Sequence, residues 1–449
     1  MIESVEIYNS FLKEIENHGI IIHVIPVDPY VHSVKRIPSS VLIKDVNTKK
    51  TYIISFSHPD VKQVVTLEKV NQDINLQTGS KWAFDKKSTM QSFPVDNVND
   101  INLLTFLGKN LIIEEEVYHT TAHKFIRSIG ETKINNCIPI LKHQETFEKM
   151  CDVFFETIPY CIRDEGYIKE NSIIIETLSE IEKNGIYVNE NCFRRFHEKA
   201  DIYENNLVYS QYNIYTSTGR PSNRFQSVNY AALNKENGVR SCFTSRFKKD
   251  GKMILIDYSA FHPRIICHLT QFDLPSNIDI YRYLGELYFK REELSDFDID
   301  ESKKLTFKQL YGGVEEKYSN IKYLVHLKDF INNSWKFFRE NGYVLTPIFK
   351  RRITKEHILD PNPNKLFNYI LQATETEISM TSLKEINRYV SDKETKPVLY
   401  TYDSILFDFS KKDGIQTLND IVSIMKMGDR FPIKMYVGDS YNDLQQIQL

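Results

Sequence analysis

Two stretches constrain this chain more than any other: ILIDYSAFHPRIICHL, which contains Asp257-Tyr258-Ser259, and LYTYDSILFDF, which contains Tyr402-Asp403-Ser404. Each sets an aspartate at or just after an apolar run rich in strand-forming residues. If the two runs are neighbouring strands of one sheet, two carboxylates meet at its edge. Such a pair holds two hard cations that clamp the attacking and leaving oxygens of a phosphoryl transfer. Taken singly, either aspartate reads equally as a turn or cap residue leaving a buried strand. The residues between them, and their order, decide.

Composition bounds the answer only loosely. The 449 residues are 41% hydrophobic and 26% charged, with no repeat or low-complexity tract, which fits a globular chain of two or three domains. A net charge of -3 gives no global basic signature, so any nucleic-acid groove is local. Six cysteines without a CxxC pair argue against structural zinc and for a reducing compartment. The first residues carry no signal architecture and no apolar run reaches membrane-spanning length, so a cytoplasmic protein without a membrane partner is expected.

Residues 1 to about 165 read as mixed α/β: SSVLIKDVNTKKTYIISFSH forms two strands around a polar turn, and the pattern becomes helical over about 120–160. A second unit opens near Asp164-Glu165-Gly166, with a helix that stops at Asn184-Gly185 before the apolar run Ile186 to Val188. Turns and strands follow to 270, helices from 280 to 345, and a long helix from 364 to 392. KPVLYTYDSILFDF then reads as strand, tight turn, strand, and DRFPIKMYVGDS as one more strand.

Taken in order, the second unit resembles the polymerase domain of family A DNA polymerases, the bacterial DNA polymerase I and bacteriophage replicase group. EIEKNGIYV is similar to the element that opens that domain, and STGRPSNRFQSVN to the TGR…NxQN stretch beside the primer–template. DYSAFHPRIICHLT resembles motif A (DYSQIELRxxAHLS), NIDIYRYLGELYF the DIHxxTA helix, and KKLTFKQLYGG the fingers helix KxxxFxxxYG. NGYVLTPIFKRR is similar to GYVxTxxGRRR, NKLFNYILQATETE to RxxxNxPxQGTxAD, YTYDSILFDF to motif C, and FPIKMYVGDSYNDL to the C-terminal strand. The resemblance spans roughly residues 170–449, and the ordered co-occurrence is more specific than any one motif.

The resemblance implies a right-hand polymerase fold of mixed α+β class. The palm covers about 166–275 and 360–449 and the fingers about 276–359, behind an RNase H-like exonuclease-type domain over 1–165. It implies that Asp257 and Asp403, with the Tyr258 carbonyl, ligate two Mg²⁺ (Mn²⁺ being a substitute), and that His262, Tyr281, Lys303, Phe307 and Tyr311 receive the nucleotide. Lys303, Phe307 and Tyr311 are four apart and share a helix face, which reads equally as a core stripe beside a solvated charge. DNA contacts fall to Arg220, Gln226, Asn368, Gln372 and Tyr402 near the primer terminus, and to Lys350, Arg351 and Arg352 on phosphates. The bland counterparts are a surface turn at Gly219-Arg220-Pro221, a polar helix face and a solvated basic run.

The pattern also breaks. His262 stands where the family has a glutamate that excludes a 2′-hydroxyl, and Ser404 where motif C has its second acid. Ile299 and Tyr281 replace phosphate-gripping residues, a loss to be shared by Lys304 or Arg282, and Asn364 replaces an arginine. The stretch between Gly185 and Arg220 is too short for the family's thumb hairpin. In the N-terminal unit the nuclease DxE motif reads Asp45-Val46-Asn47, so proofreading is expected to be lost. The implied activity is a template-directed DNA polymerase acting on primer–template DNA and dNTPs, without proofreading, of low processivity and served by a processivity or replisome partner. The alternatives are a ribonucleotide-tolerant, primase-like or repair enzyme, and a catalytically silent nucleic-acid-binding subunit.

Overall fold

In the first unit, the apolar run IIIHVIP forms a central strand, β1 (Ile20–Pro26), which the sequence reading left unassigned. The computed structural model describes residues 1–116, 124, 127, 133, 135–161 and 164–447. β1 pairs antiparallel with β2 (Pro38–Asp45), placing Ile22 opposite Ile43, and β2 pairs with β3 (Thr51–Ser55). β4 (Lys81–Ala83) and β5 (Val98–Asp100) continue the sheet in parallel, giving the order β3-β2-β1-β4-β5. The mixed order agrees with the RNase H-like expectation. Alternation along the strands fills both faces. Ile20, Ile22, Val41 and Ile43 pack under Tyr8 and Phe11 of helix α1 (Val5–Glu14), and Ile21, Ile25 and Leu42 under Phe147 and Met150 of α2 (Ile140–Thr157). The rest of the helical pattern read from about 120 lies largely outside the described residues.

Asp45 is the last residue of β2, and its side chain holds the turn that follows. Its carboxylate accepts hydrogen bonds from the backbone N–H groups of Asn47 (2.8 Å) and Thr48 (3.2 Å) and from the Thr48 hydroxyl, and meets His18 Nδ1 at 2.9 Å. The sequence reading set Asp45-Val46-Asn47 on the nuclease's metal motif, and in the structure that carboxylate is taken up locally. Asx-turn chemistry uses up the carboxylate at the far end of β2, while the central strand carries no acid at all.

The chain divides at Ser179/Glu180, within helix α3 (Glu165–Asn184), rather than near 165. A helix start is a strong sequence signal for a boundary, but this helix runs on past the division. In the second unit β6 (Gly251–Tyr258), β7 (Lys396–Thr401), β8 (Ser404–Ser410), β9 (Ile433–Gly438) and β10 (Gln445–Ile447) form an antiparallel sheet ordered β7-β8-β6-β9-β10. Helices α4 (Phe261–Thr270), α5 (Ile280–Phe289), α6 (Asp296–Gly312), α7 (Lys322–Asn341) and α8 (Pro363–Tyr389) complete it. Their starts follow local chemistry: Asp279 caps α5, Ser295 and Asp298 form a capping box on α6, and Asn362 caps α8 with Pro363 at its first position.

Between Gly185 and Arg220 the longest helix is Glu190–Phe196, and the remainder is short strands and turns. Its side chains Ile186, Val188, Phe193 and Val208 are buried in one cluster with Met253, Val398 and Leu406 of the sheet, so this segment packs down as part of the palm's core. Cys192 and Cys242 form a disulfide, their Cα atoms 5.2 Å apart across a separation of 50 residues. That pairing departs from the reduced cysteines expected. It follows from packing the short helix against the Val239–Cys242 turn, a proximity that no local spacing announces. Among the described residues no helix is long and apolar enough to cross a membrane.

Candidate active site

Register brings the two aspartates together. Asp257, next to last in β6, lies opposite Ser404 on β8 and opposite Lys434 on β9. Asp403 sits in the two-residue turn between β7 and β8, and its carbonyl accepts a hydrogen bond from Tyr258 N–H at 2.9 Å, extending the ladder past the last paired residue. The turn is tight because Tyr402 takes a left-handed conformation (φ 61°), rare for a bulky residue and common where function fixes the backbone. Ser379 helps to hold it, donating to the Tyr402 carbonyl at 3.1 Å. Ser404 bonds Thr401 within the hairpin, hydroxyl to hydroxyl at 2.7 Å.

Both carboxyls are raised above the usual carboxylate range. Burial and then the charge of Asp403 push Asp257 up to about 7, against the opposing pull of Lys434 and Lys303. Asp403 is raised by burial in the cleft and by the charge of Glu375. Among the described residues neither aspartate forms an ion pair with a side-chain cation. Two like charges in this position, with no protein counter-ion in contact, suit divalent cations, and Asp257, Asp403 and a backbone oxygen of Tyr258 are the groups that would hold them. The Tyr258 hydroxyl is turned away into the core, 3.0 Å from Ser382 Oγ. Among the described residues no set of three or more His, Cys, Asp or Glu side chains gathers as a metal cluster, so substrate and water oxygens would complete the coordination.

These residues open on a cleft of about 650 Å³ lined by Asp257, Tyr258, His262, Tyr281, Lys303, Phe307, Tyr311, Arg220 and Asp403. One cavity thus gathers nine of the residues named from sequence. Helix α6 supplies the opposite wall: Phe307 and Tyr311 stack with centroids 5.9 Å apart, and Lys303 Nζ lies 5.8 Å from the Tyr281 ring. Ile299, Glu375 and Lys434 also line the cleft. Lys304 and Arg282, expected to share the phosphate grip, do not line the cleft, and Lys304 is paired with Glu301. Lys434, on β9 beside Asp257, is a cleft cation that the sequence reading missed. Its strand alternates burial too weakly to mark one face.

Arg220 reaches the cleft from a turn in which Gly219 takes φ 78° and a Cβ there would stand 3.4 Å from Arg351 Nη1. Its guanidinium lies 4.9 Å from the Tyr402 ring centre and pairs with the buried Glu375. Glu375 also meets His262, whose Nε2 stands 3.3 Å from Oε1, and His262 Nδ1 bonds the Tyr311 hydroxyl. Burial would raise the Glu375 carboxyl, but its contacts with His262 and Arg220 hold it below its ordinary value. Glu375 was also missed, because an acid one turn from Gln372 looks like a solvated helix face.

The remaining DNA-contact candidates are not part of this wall. Gln226 is a hairpin-turn residue (φ 50°) whose amide donates to Asp201 at 2.6 Å and accepts from its backbone N–H at 2.7 Å. Arg351 is buried and donates to the Thr216 carbonyl at 2.5 Å, Arg352 stacks 4.0 Å over Tyr343, and Lys350 alone of that run is exposed. The basic run is therefore partly structural. Asn368 and Gln372 lie on α8, and Asn368 Oδ1 is buried without a hydrogen-bond partner among the described residues. Asn364 donates to the Gly312 carbonyl at the end of α6 (3.1 Å).

No family model matches the chain. A curated relative, DNA polymerase I of Borreliella burgdorferi, is 23% identical over 345 residues, covering 66% of this chain and 37% of that protein. The chain therefore spans little more than a third of that relative's length. A solved structure titled the POL domain of Pol1 from M. smegmatis in complex with DNA primer-template and dNTP superposes with a TM-score of 0.67 at 13% identity, over 96% of this chain and 97% of that one. The fold is that of this polymerase domain.

Proposed function

We propose that this chain is a family A, template-directed DNA polymerase that adds dNTPs to a primer 3′ end, without proofreading and with low intrinsic processivity. The observation that carries the reading is the convergence of Asp257 and Asp403 at one end of the sheet, facing Lys303, Phe307 and Tyr311 across a single cleft. The ordered motifs, the relative named DNA polymerase I and the shared polymerase-domain fold support it. Divalent cations, when bound, would supply the charge that activates the primer hydroxyl and neutralises the leaving pyrophosphate.

The chain's own residues would bind and orient. Lys303 and Lys434 would attract the triphosphate from two sides of the cleft, the Phe307–Tyr311 pair would offer a stacking face to base and sugar, and Arg220 would meet the minor groove of the terminal pair. A ribonucleotide-tolerant variant of this activity is the second reading, favoured by one observation, the imidazole of His262 in place of a carboxylate. Extension of a labelled primer–template, with and without Mg²⁺, and with dNTPs against rNTPs, tests both. Mg²⁺-dependent addition of dNTPs is expected. Duplex binding with no addition of either nucleotide would instead support a silent scaffold.

A further inference from the structure

Glu375 is only 2% exposed, yet its carboxylate lines the cleft and both of its oxygens are engaged. Oε2 accepts from Arg220 Nε, and Oε1 stands 3.3 Å from His262 Nε2. Arg220 Nη2 is 3.1 Å from the same Nε2, and on the far side of the ring Nδ1 meets the Tyr311 hydroxyl. An unbroken polar chain thus runs from α8 through His262 on α4 to Tyr311 on α6. Burying a carboxylate is costly, and a hydrophobic residue would fill the same space without that penalty. An anion retained here points to what it does to the imidazole.

We propose that Glu375 and His262 act as one unit that selects the sugar of the incoming nucleotide, Glu375 as the positioning residue and His262 as the barrier. This rests on the polymerase reading above. Nε2 is engaged by Arg220 Nη2 and Glu375 Oε1, and Nδ1 by the Tyr311 hydroxyl, so both ring nitrogens are committed and neither offers a bond to a 2′-hydroxyl. A site that gives a hydroxyl bulk to meet and no partner to replace its water rejects it. The carboxylate also stops the ring from swinging off the wall. The glutamate that the family carries at the His262 position is supplied here from a different helix and acts through the imidazole.

Single-nucleotide insertion by the full chain tests this, comparing kcat/KM for ATP and dATP opposite template T in the native protein, Glu375→Gln, Glu375→Ala, His262→Ala and the double variant. The ribose-to-deoxyribose ratio should rise at least ~10-fold in Glu375→Ala and by less in Glu375→Gln, which keeps an amide oxygen as acceptor. The double variant should match His262→Ala alone, because two members of one unit are not additive. A merely structural glutamate lowers both insertion rates together and leaves the ratio where it was. If Glu375→Ala fails to fold, Glu375→Gln carries the comparison. An unchanged ratio in a protein that extends primers, or fully additive effects, overturns this inference alone. A native protein that inserts neither nucleotide overturns it together with the polymerase reading.

Discussion

Asp257 and Asp403 repel each other in a setting that offers no side-chain ion pair, so each is worth more to a bound cation than to the fold. Asp257→Asn or Asp403→Asn should therefore cut primer extension by roughly 10²–10³-fold or more while leaving duplex binding and the unfolding midpoint near native values. Rapid-quench extension beside a binding titration checks this, and near-native extension by either variant would remove that carboxylate from the role. A different kind of residue governs acid stability. In the first unit His23 is pushed down to about 4 by burial, and His143 down to about 3 by burial and then the charges of His23 and His58, Asp60 pulling the other way. Both lie below the ordinary histidine value of about 6.5, so in between the unfolded chain binds protons that the native rings refuse. Stability is then complete above about 6.5 and lost as pH falls toward 4 and 3. With Trp335→Phe leaving Trp82 as reporter, the denaturant midpoint should drop from pH 7.5 to pH 5, and His23→Leu should flatten that drop. The aspartates were legible in the sequence because a strand end and a turn are local patterns. Glu375 and Lys434 were not, because their meaning comes from elements far apart in the chain.

At the scale of elements, the strands and helices that carry the cleft follow local rules. The two-residue hairpin at Tyr402-Asp403 and the length of α8 were readable in the sequence, whereas the capped starts of α5, α6 and α8 follow local signals that the sequence reading did not name. The sheet of the first unit was less so. Its central strand, β1, is a short apolar run that periodicity cannot tell from a helix segment, and missing it shifted the expected nuclease motif onto β2 and the Asp45 turn. In the structure the inner strand reads IIIHVIP, without a carboxylate, and Asp45 is saturated by Asn47, Thr48 and His18. A two-metal nuclease requires acids at such positions. The purified chain should therefore leave a mismatched primer intact when nucleotides are withheld. Mg²⁺-dependent 3′–5′ shortening that survives Asp403→Asn would place nuclease carboxylates elsewhere in this unit.

For the whole molecule, the decisive quantity is how much duplex the protein can hold. A polymerase stays on its template largely through phosphate contacts, and each one lost lowers both the affinity and its salt slope. Here the segment between Gly185 and Arg220 folds down into the core with Ile186, Phe193 and Val208 buried, so it offers no helical hairpin to wrap a duplex. The net charge of -3 adds no general attraction, and of the basic run at 350–352 only Lys350 is exposed. The isolated chain should be distributive, adding few nucleotides per encounter and losing activity steeply between about 50 and 200 mM salt. A trap experiment measures this: labelled primer–template is pre-bound, nucleotides are added with excess unlabelled competitor, and product length is read. Short products that lengthen when a host replication fraction is supplied would match a polymerase retained by a partner. Products hundreds of nucleotides long from the protein alone would mean that the compact segment, or the nuclease-like unit, does the holding that a thumb does elsewhere.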